Sequence, residues 1–240
     1  MTLHDGWMLL GGVVALYLYD SALLLFHNEI VLVGKRRGYG VSAGSSLVLA
    51  GRHVFLPSPL CPHQPLFRMS WSERGQPVEG GKPLRIARVR IALSAMSYWM
   101  WLLLTLFVVG LPYVLLVSHD PKLLLAWIAS VYTVIVAILM QVYRYRKALN
   151  LTRRAVAAVA LDALLCAPFA LNIVRKIGLR QSLNIDLRVA ATSLLPEAAV
   201  KQLAAVLRQR IEISLGFIEP GDAQFLALSA YLNDFEALCR

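Results

Sequence analysis

Residues 91–143 read IALSAMSYWMWLLLTLFVVGLPYVLLVSHDPKLLLAWIASVYTVIVAILMQVY. Two uncharged runs, 91–118 and 123–143, are separated only by the polar stretch Ser118, His119, Asp120, Pro121 and Lys122. Apolar runs of this length read as membrane-crossing helices. The first has 28 positions. At ~1.5 Å per residue it would extend about 42 Å, more than the ~30 Å hydrocarbon core, so it tilts or its first turn lies at the interface. Tyr98, Trp99 and Trp101 gather near its start, where aromatic rings favour the headgroup level. Asp120 and Pro121 supply a turn, and so short a connection makes the two helices antiparallel neighbours.

Composition agrees with a chain that lives in lipid. Of 240 residues, 58% are hydrophobic and 16% charged, against about 25% charged in an average soluble domain. The net charge of +10 would raise nucleic-acid binding in a soluble protein. Here the enrichment of Lys and Arg in cytoplasmic loops accounts for it, and no nucleic acid is expected among the partners. Cys61, Cys166 and Cys239 are odd in number and scattered, which is no disulfide framework.

Two more hydrophobic blocks flank the central pair. Residues 6–26 follow a start without Lys or Arg and are long for a signal peptide, so they read as a retained anchor, interrupted by Asp20. Residues 155–174 are weaker, being rich in alanine and holding Asp162, Pro168 and Asn172. A central Asp costs about 2.5–3.5 kcal/mol on insertion scales. Two readings of this block stand: a marginal span, or a helix lying half in the interface or packed on the others. The expected fold is therefore a mainly α-helical membrane protein with three to four transmembrane helices. Its parts are helix 6–26, a basic β-rich loop 27–90, helices 91–118 and 123–143, the marginal block 155–174, and a C-terminal extramembrane region 175–240, α-helical or α+β.

Charge sets the orientation. The loop 27–90 holds Lys35, Arg36, Arg37, Arg52, Arg68, Arg74, Lys82, Arg85, Arg88 and Arg90 against three acids, and Arg144, Arg146, Lys147, Arg153 and Arg154 follow the third helix. All fall on one side if the N-terminus is outside and the loop is cytoplasmic. If 155–174 spans, Arg175, Lys176 and Arg180 land outside, against the rule; if not, the tail is cytoplasmic.

In the loop, 29–33, 46–50 and 66–71 read as strands, the four prolines of 57–65 as a stiff extended connector, and 75–83 as a link into the second helix. In the tail, 182–189 alternates apolar and polar residues as a half-buried strand does, with the loop its only visible pairing partner. Amphipathic helices follow over 196–215, with Val200, Leu203, Leu207 and Ile211 on one face, and 222–238, with Phe225, Leu228, Leu232 and Phe235. Asp222 is the expected N-cap.

Asp20 and Asp162 are the candidate functional residues, because an ionisable group inside a membrane helix marks a function by default. Under the orientation above, both lie about 10–12 Å from the cytoplasmic boundary. Matching depth permits contact and a shared proton; the structural alternative is that each accepts a hydrogen bond from a neighbouring helix. Ala160, Ala163, Ala167 and Ala170 form a small-residue stripe suited to close packing. His53, Cys61 and His63 lack a recognised zinc spacing, so no metal is expected. Lys35, Arg36, Arg37, Arg85, Arg88 and Arg90 are a candidate lipid- or partner-facing basic set. No phosphate loop, zinc-protease motif or nucleophile elbow is present, and neither a catalytic residue nor a cofactor is expected.

The function expected is that of a non-enzymatic anchor, interaction or assembly protein of a bacterial inner membrane. Its partners would be the lipid bilayer and another protein or a second copy. The alternatives are a small transporter or channel subunit using Asp20 and Asp162, and a lipid-facing membrane enzyme with His27, Glu29 or His63 at the interface.

Overall fold

The computed structural model describes residues 3–35, 38–71, 83–118, 120–181 and 186–238. They are mostly helical with two small sheets and divide into two compact units. One comprises Met1–Ala22, Leu56–Pro65 and Arg88–Gly178; the other comprises Leu23–Phe55, Leu66–Ala87 and Leu179–Arg240.

The first unit opens with α1 (Leu3–Ser21), which stops before the end of the expected 6–26 block because Leu23–Leu25 is a strand, β1. The uncharged block 91–118 is divided. Its first residues finish α2 (Pro83–Ser94), a helix carrying Arg85, Arg88 and Arg90. There the Ser94 hydroxyl donates to the Ile91 carbonyl at 2.7 Å, a local bond of the kind that competes with helix propagation. After a turn at Ala95 and Met96, α3 (Ser97–Thr105) runs on through wide π-type turns at Leu106–Gly110 and Tyr113–Ser118. One helix thus covers Ser97–Ser118, 22 residues. That is about 33 Å, close to the hydrocarbon thickness, so the excess length in the sequence belongs to α2.

Asp120 caps α4 (Pro121–Tyr145) by accepting from the Lys122 amide, with Pro121 in the first turn, where its missing N–H costs nothing. Helix 97–118 and α4 have mean hydropathies of 2.4 and 2.5, and only 39% and 22% of them is buried within the protein. A core helix of a soluble protein would be mostly buried; these two have the length and apolarity of membrane spans. Among the described residues they are the two helices that meet both conditions, where three to four were expected. Asp5 and Asp20 dilute α1.

The fourth block is two short pieces. The α5 helix (Arg153–Leu165) has 13 residues, about 20 Å, too short to cross a bilayer. Cys166 is extended, Pro168 follows, and a 3-10 turn over Ala167–Asn172 leads into α6 (Ile173–Leu179).

The helical hairpin is locked where Trp127 of α4 meets Gly110. Trp127 Nε1 donates to the Leu106 carbonyl at 2.8 Å, and its ring stands edge-on to Phe107. A Cβ at Gly110 would lie 3.0 Å from Trp127 Cδ1, so glycine is what allows this approach.

The second unit holds two antiparallel sheets. One orders β1, β5 (Arg52–Phe55) and β4 (Val48–Leu49); the other orders β3 (Tyr39–Ser42), β2 (Glu29–Gly34) and β6 (Leu66–Ser70). Leu25, Val31, Phe55 and Leu66 form a shared core, with Leu179 against it. Ile30 and Leu32, on the opposite face of β2, are also fully buried. The expected strand 46–50 shrinks to β4, whose turn places Ala50 and Gly51 at φ of 50° and 74°, the conformation of a two-residue hairpin. The link 75–83 falls outside the described residues, except for Pro83, which opens α2.

The tail corrects one expectation. Residues 182–185 of the alternating run lie outside the described residues, and Leu187–Leu194 is a helix, α7, not a strand. Asp186 caps it by accepting from the Arg188 amide, and Leu187, Ala190 and Ala191 bury at helical spacing. The helices α8 (Glu197–Leu215) and α9 (Ala223–Ala237) follow, the latter capped by Asp222, and α8 packs on β3.

The hairpin lock is testable by substitution. Gly110→Val should destabilise by about 1–3 kcal/mol through overpacking, and Trp127→Phe by about 0.5–1.5 kcal/mol through the lost hydrogen bond. Thermal unfolding in detergent micelles reads both, and unchanged midpoints for the pair would refute the lock.

Candidate functional site

Helical spacing explains the main polar cluster. Asn172, Arg175 and Lys176 are three and four positions apart across the junction of the 3-10 turn and α6, so they share one face. That face meets α1 at Tyr17 and Asp20, and α5 at Asp162. Lys176 Nζ lies 2.8 Å from Asp20 Oδ1 and 3.6 Å from Asp162 Oδ2, and also stands over the Phe169 ring. The two aspartates singled out in the sequence therefore converge, through a lysine between them. Side-chain exposure rises from 12% at Asp20 through 20% at Lys176 to 49% at Asp162, so the triad runs from the interior to the surface of this unit.

Arg175 carries the cluster inward and is only 2% exposed. Its Nη1 donates to Asn172 Oδ1 at 2.9 Å and to the Tyr17 hydroxyl at 3.3 Å. Its Nη2 donates to the carbonyls of Ser58 at 2.6 Å and Cys61 at 3.1 Å. The Tyr17 hydroxyl donates to the Pro59 carbonyl, and Asn172 Nδ2 donates to Asp20 Oδ2 and the Tyr17 carbonyl. One hydrogen-bonded chain thus links the proline-rich connector, through Arg175 and Asn172, to Asp20, Lys176 and Asp162. The connector cannot join a sheet, and this chain gives three of its carbonyls side-chain donors, beside the turn bonds that Ser58 and Cys61 accept from the Cys61 and Gln64 amides.

The sequence singles out Asp20 and Asp162, and not Arg175 or Lys176. Arg175 and Lys176 were read only as charges to be placed by orientation. The signal that would have found them was their helical spacing from Asn172.

A second buried arginine, Arg210 of α8, organises the other unit. It is 6% exposed, and its guanidinium donates to the carbonyls of His27 at 2.8 Å, Glu29 at 3.0 Å and Ala43. His27 Nε2 bonds the Arg210 carbonyl in return. The His27 ring neighbours those of His53 and Trp71. Burial, and then the Arg210 charge, push the pKa of His53 down. Further along the tail, Arg188 binds both carboxylate oxygens of Asp186, reaches Asp234 at 2.8 Å and lies over Tyr231. Burial pulls the Asp186 pKa upward, but the Arg188 bonds outweigh it and hold the carboxyl below its usual range. Burial, followed by the Asp186 charge, raises that of Tyr231.

Among the described residues no three His, Cys, Asp or Glu side chains gather as a metal site. His53 belongs to the sheet-containing unit, whereas Cys61 and His63 belong to the helical one, where His63 stacks near Trp101. Of the basic set, Arg36 and Arg37 lie outside the described residues; Arg85 and Arg88 are exposed, and Arg90 is half-buried. Arg52 and Arg68 are engaged, over the Phe26 ring and with Glu29.

No protein-family model, curated protein or solved structure matches the chain.

Two measurements follow from these clusters. Arg175→Met removes the four hydrogen bonds of a buried guanidinium, to Asn172, Tyr17, Ser58 and Cys61, at about 0.5–1.5 kcal/mol each. Its unfolding midpoint in detergent should therefore fall clearly further than that of Lys176→Met, and equal midpoints would contradict the clamp. For Asp186, whose folded pKa lies below its unfolded value, the stabilisation is present above about pH 4 and is lost as pH falls through the folded value. Asp186→Asn should lose stability at neutral pH and flatten the acid limb of a stability–pH curve; an unaltered limb would contradict the role assigned to Asp186.

Proposed function

We propose that this chain is a non-enzymatic, multi-pass protein of a bacterial inner membrane. In this reading its helical unit is an anchor, and its sheet-containing unit is presented in the cytoplasm to a partner protein or a second copy. The observation that carries the reading is that loop and tail build one unit, with Arg210 of the tail bonded to His27, Glu29 and Ala43 of the loop. Two segments that fold together must emerge on one side of a bilayer, which requires an even number of crossings between them. Helix 97–118 and α4 supply two, and α5, broken at Cys166, is too short to add a third. With the basic loop cytoplasmic, the tail is cytoplasmic as well, and in this reading α1 also crosses, which puts the N-terminus outside. The exposed apolar side chains of α1, among them Trp7, Met8, Leu9, Val14 and Leu16, support lipid contact there also. Interaction rather than catalysis is favoured because Asp20, Lys176 and Asp162 are bonded to one another, His27 Nε2 is held by the Arg210 carbonyl, and the Glu29 carboxylate is paired with Arg68.

A second reading, a transporter or channel subunit, has one observation in its favour: the convergence of Asp20 and Asp162 on Lys176. Flux across reconstituted vesicles that disappears in Asp20→Asn and Asp162→Asn would support it over the anchor.

The anchor reading is tested with topology reporters. A fluorescent protein fused after Arg240 should fold and fluoresce in the cytoplasm, while a phosphatase inserted at Asp120 should be active outside. In-cell photo-crosslinking from Phe217 or Leu226, both exposed on the tail, should capture a protein or a second copy. An external C-terminus would overturn the topology, and the absence of any crosslink would overturn the interaction role.

A further inference from the structure

The corner between α4 and α5 concentrates positive charge that has no counter-ion among the described residues. Arg144, Arg146, Lys147, Arg153 and Arg154 fall within the 11 positions 144–154, and no acid occurs between Asp120 and Asp162. The corner has a defined shape. Leu149 is fully buried beneath it, the Leu151 amide donates to the Arg146 carbonyl at 2.8 Å, and Asn150 makes the turn at φ 50°. Higher up, the Tyr132 hydroxyl donates to the Leu164 carbonyl, so α4 and α5 run back along each other and keep their basic ends together. Arg144, Lys147, Arg153 and Arg154 are exposed and have no carboxylate partner among the described residues. Arg146 stacks over the Tyr143 ring at 4.2 Å.

Several arginines elsewhere do find a carboxylate. Arg68, Arg188 and Arg208 pair with Glu29, Asp186 and Asp234, and Glu236. At the corner, Arg153 and Arg154 stand in the first turn of α5, where the helix dipole disfavours cations. An external anion removes both the mutual repulsion and that penalty. The corner directly follows an apolar helix of membrane-crossing length, with the exposed ring of Tyr143 at its last turn, so the surface facing it is that of the bilayer.

We infer that the α4–α5 corner binds the phosphates of anionic lipid headgroups, through Arg144, Arg146, Lys147, Arg153 and Arg154. The inference rests on the membrane reading of α4. Clustered cations immediately cytoplasmic of a span attract such lipids, and the attraction is screened by salt.

The test uses the full chain in a nonionic detergent, titrated with phosphatidylglycerol, with phosphatidylcholine and with inorganic phosphate, and read by native mass spectrometry. Phosphatidylglycerol should bind about tenfold more tightly than phosphatidylcholine. The preference should vanish when all five residues become Gln, persist when the four arginines become Lys, and persist in a control carrying Lys35→Gln and Arg52→Gln. If the five-Gln variant does not fold, the wild-type preference should still collapse in ~0.5 M salt. Equal binding of the two lipids, or a preference untouched by the five substitutions, overturns the inference. Competition by inorganic phosphate as strong as that by the lipid would mean a site for the free ion and overturns it too. A protein that stays in solution without detergent would instead overturn the membrane reading itself.

Discussion

A backbone carbonyl taken from water must find a donor, and in this chain two buried arginines add such donors where segments lie outside regular helix and sheet or at their ends. The connector 57–65 is barred by its prolines from helix and central strand, and Arg175 supplies donors to its carbonyls. The carbonyls of His27, Glu29 and Ala43 are met by Arg210. Neither guanidinium has a carboxylate partner among the described residues. A guanidinium suits this task because its planar fork presents five donors and keeps its charge when buried. Each arginine joins segments more than one hundred residues apart in sequence, so the two units owe part of their coherence to a single side chain apiece.

The sequence was most legible where one physical effect dominates. Runs without charge announced helix 97–118 and α4, Asp120 and Asp222 announced helix starts, and β2 and β6 followed from β-branched and aromatic residues between turn signals. It was least legible where local bonds decide. Nothing in the periodicity of 91–118 reveals that the Ser94 hydroxyl helps end a helix, and the short strands β1 and β5 carry too few residues for a pattern. The alternation of 182–189 misled because Leu187, Ala190 and Ala191 fit helical spacing as well, and the cap from Asp186 favours the helix.

The charged cluster was legible in part for the same reason. Asp20 and Asp162 stand out because a carboxylate within an apolar block is costly. Lys176 and Arg175 do not stand out, since they follow the block and resemble boundary charges. Their roles appear only when α6 turns back and brings them beside α1 and α5. The break at Cys166 and Pro168, of which the sequence marks only the proline, is what makes that return possible.

The distance in sequence between Arg210 and its acceptors also bears on biosynthesis. The segment holding His27, Glu29 and Ala43 leaves the ribosome well before α8 does, the separations being 183, 181 and 167 residues. At ordinary synthesis rates that interval is on the order of ten to thirty seconds. Throughout it the newborn sheet lacks the cover of α8. The last helices therefore act as a late closing piece, and until they arrive the early strands depend on solvent or a chaperone for the contacts they later keep.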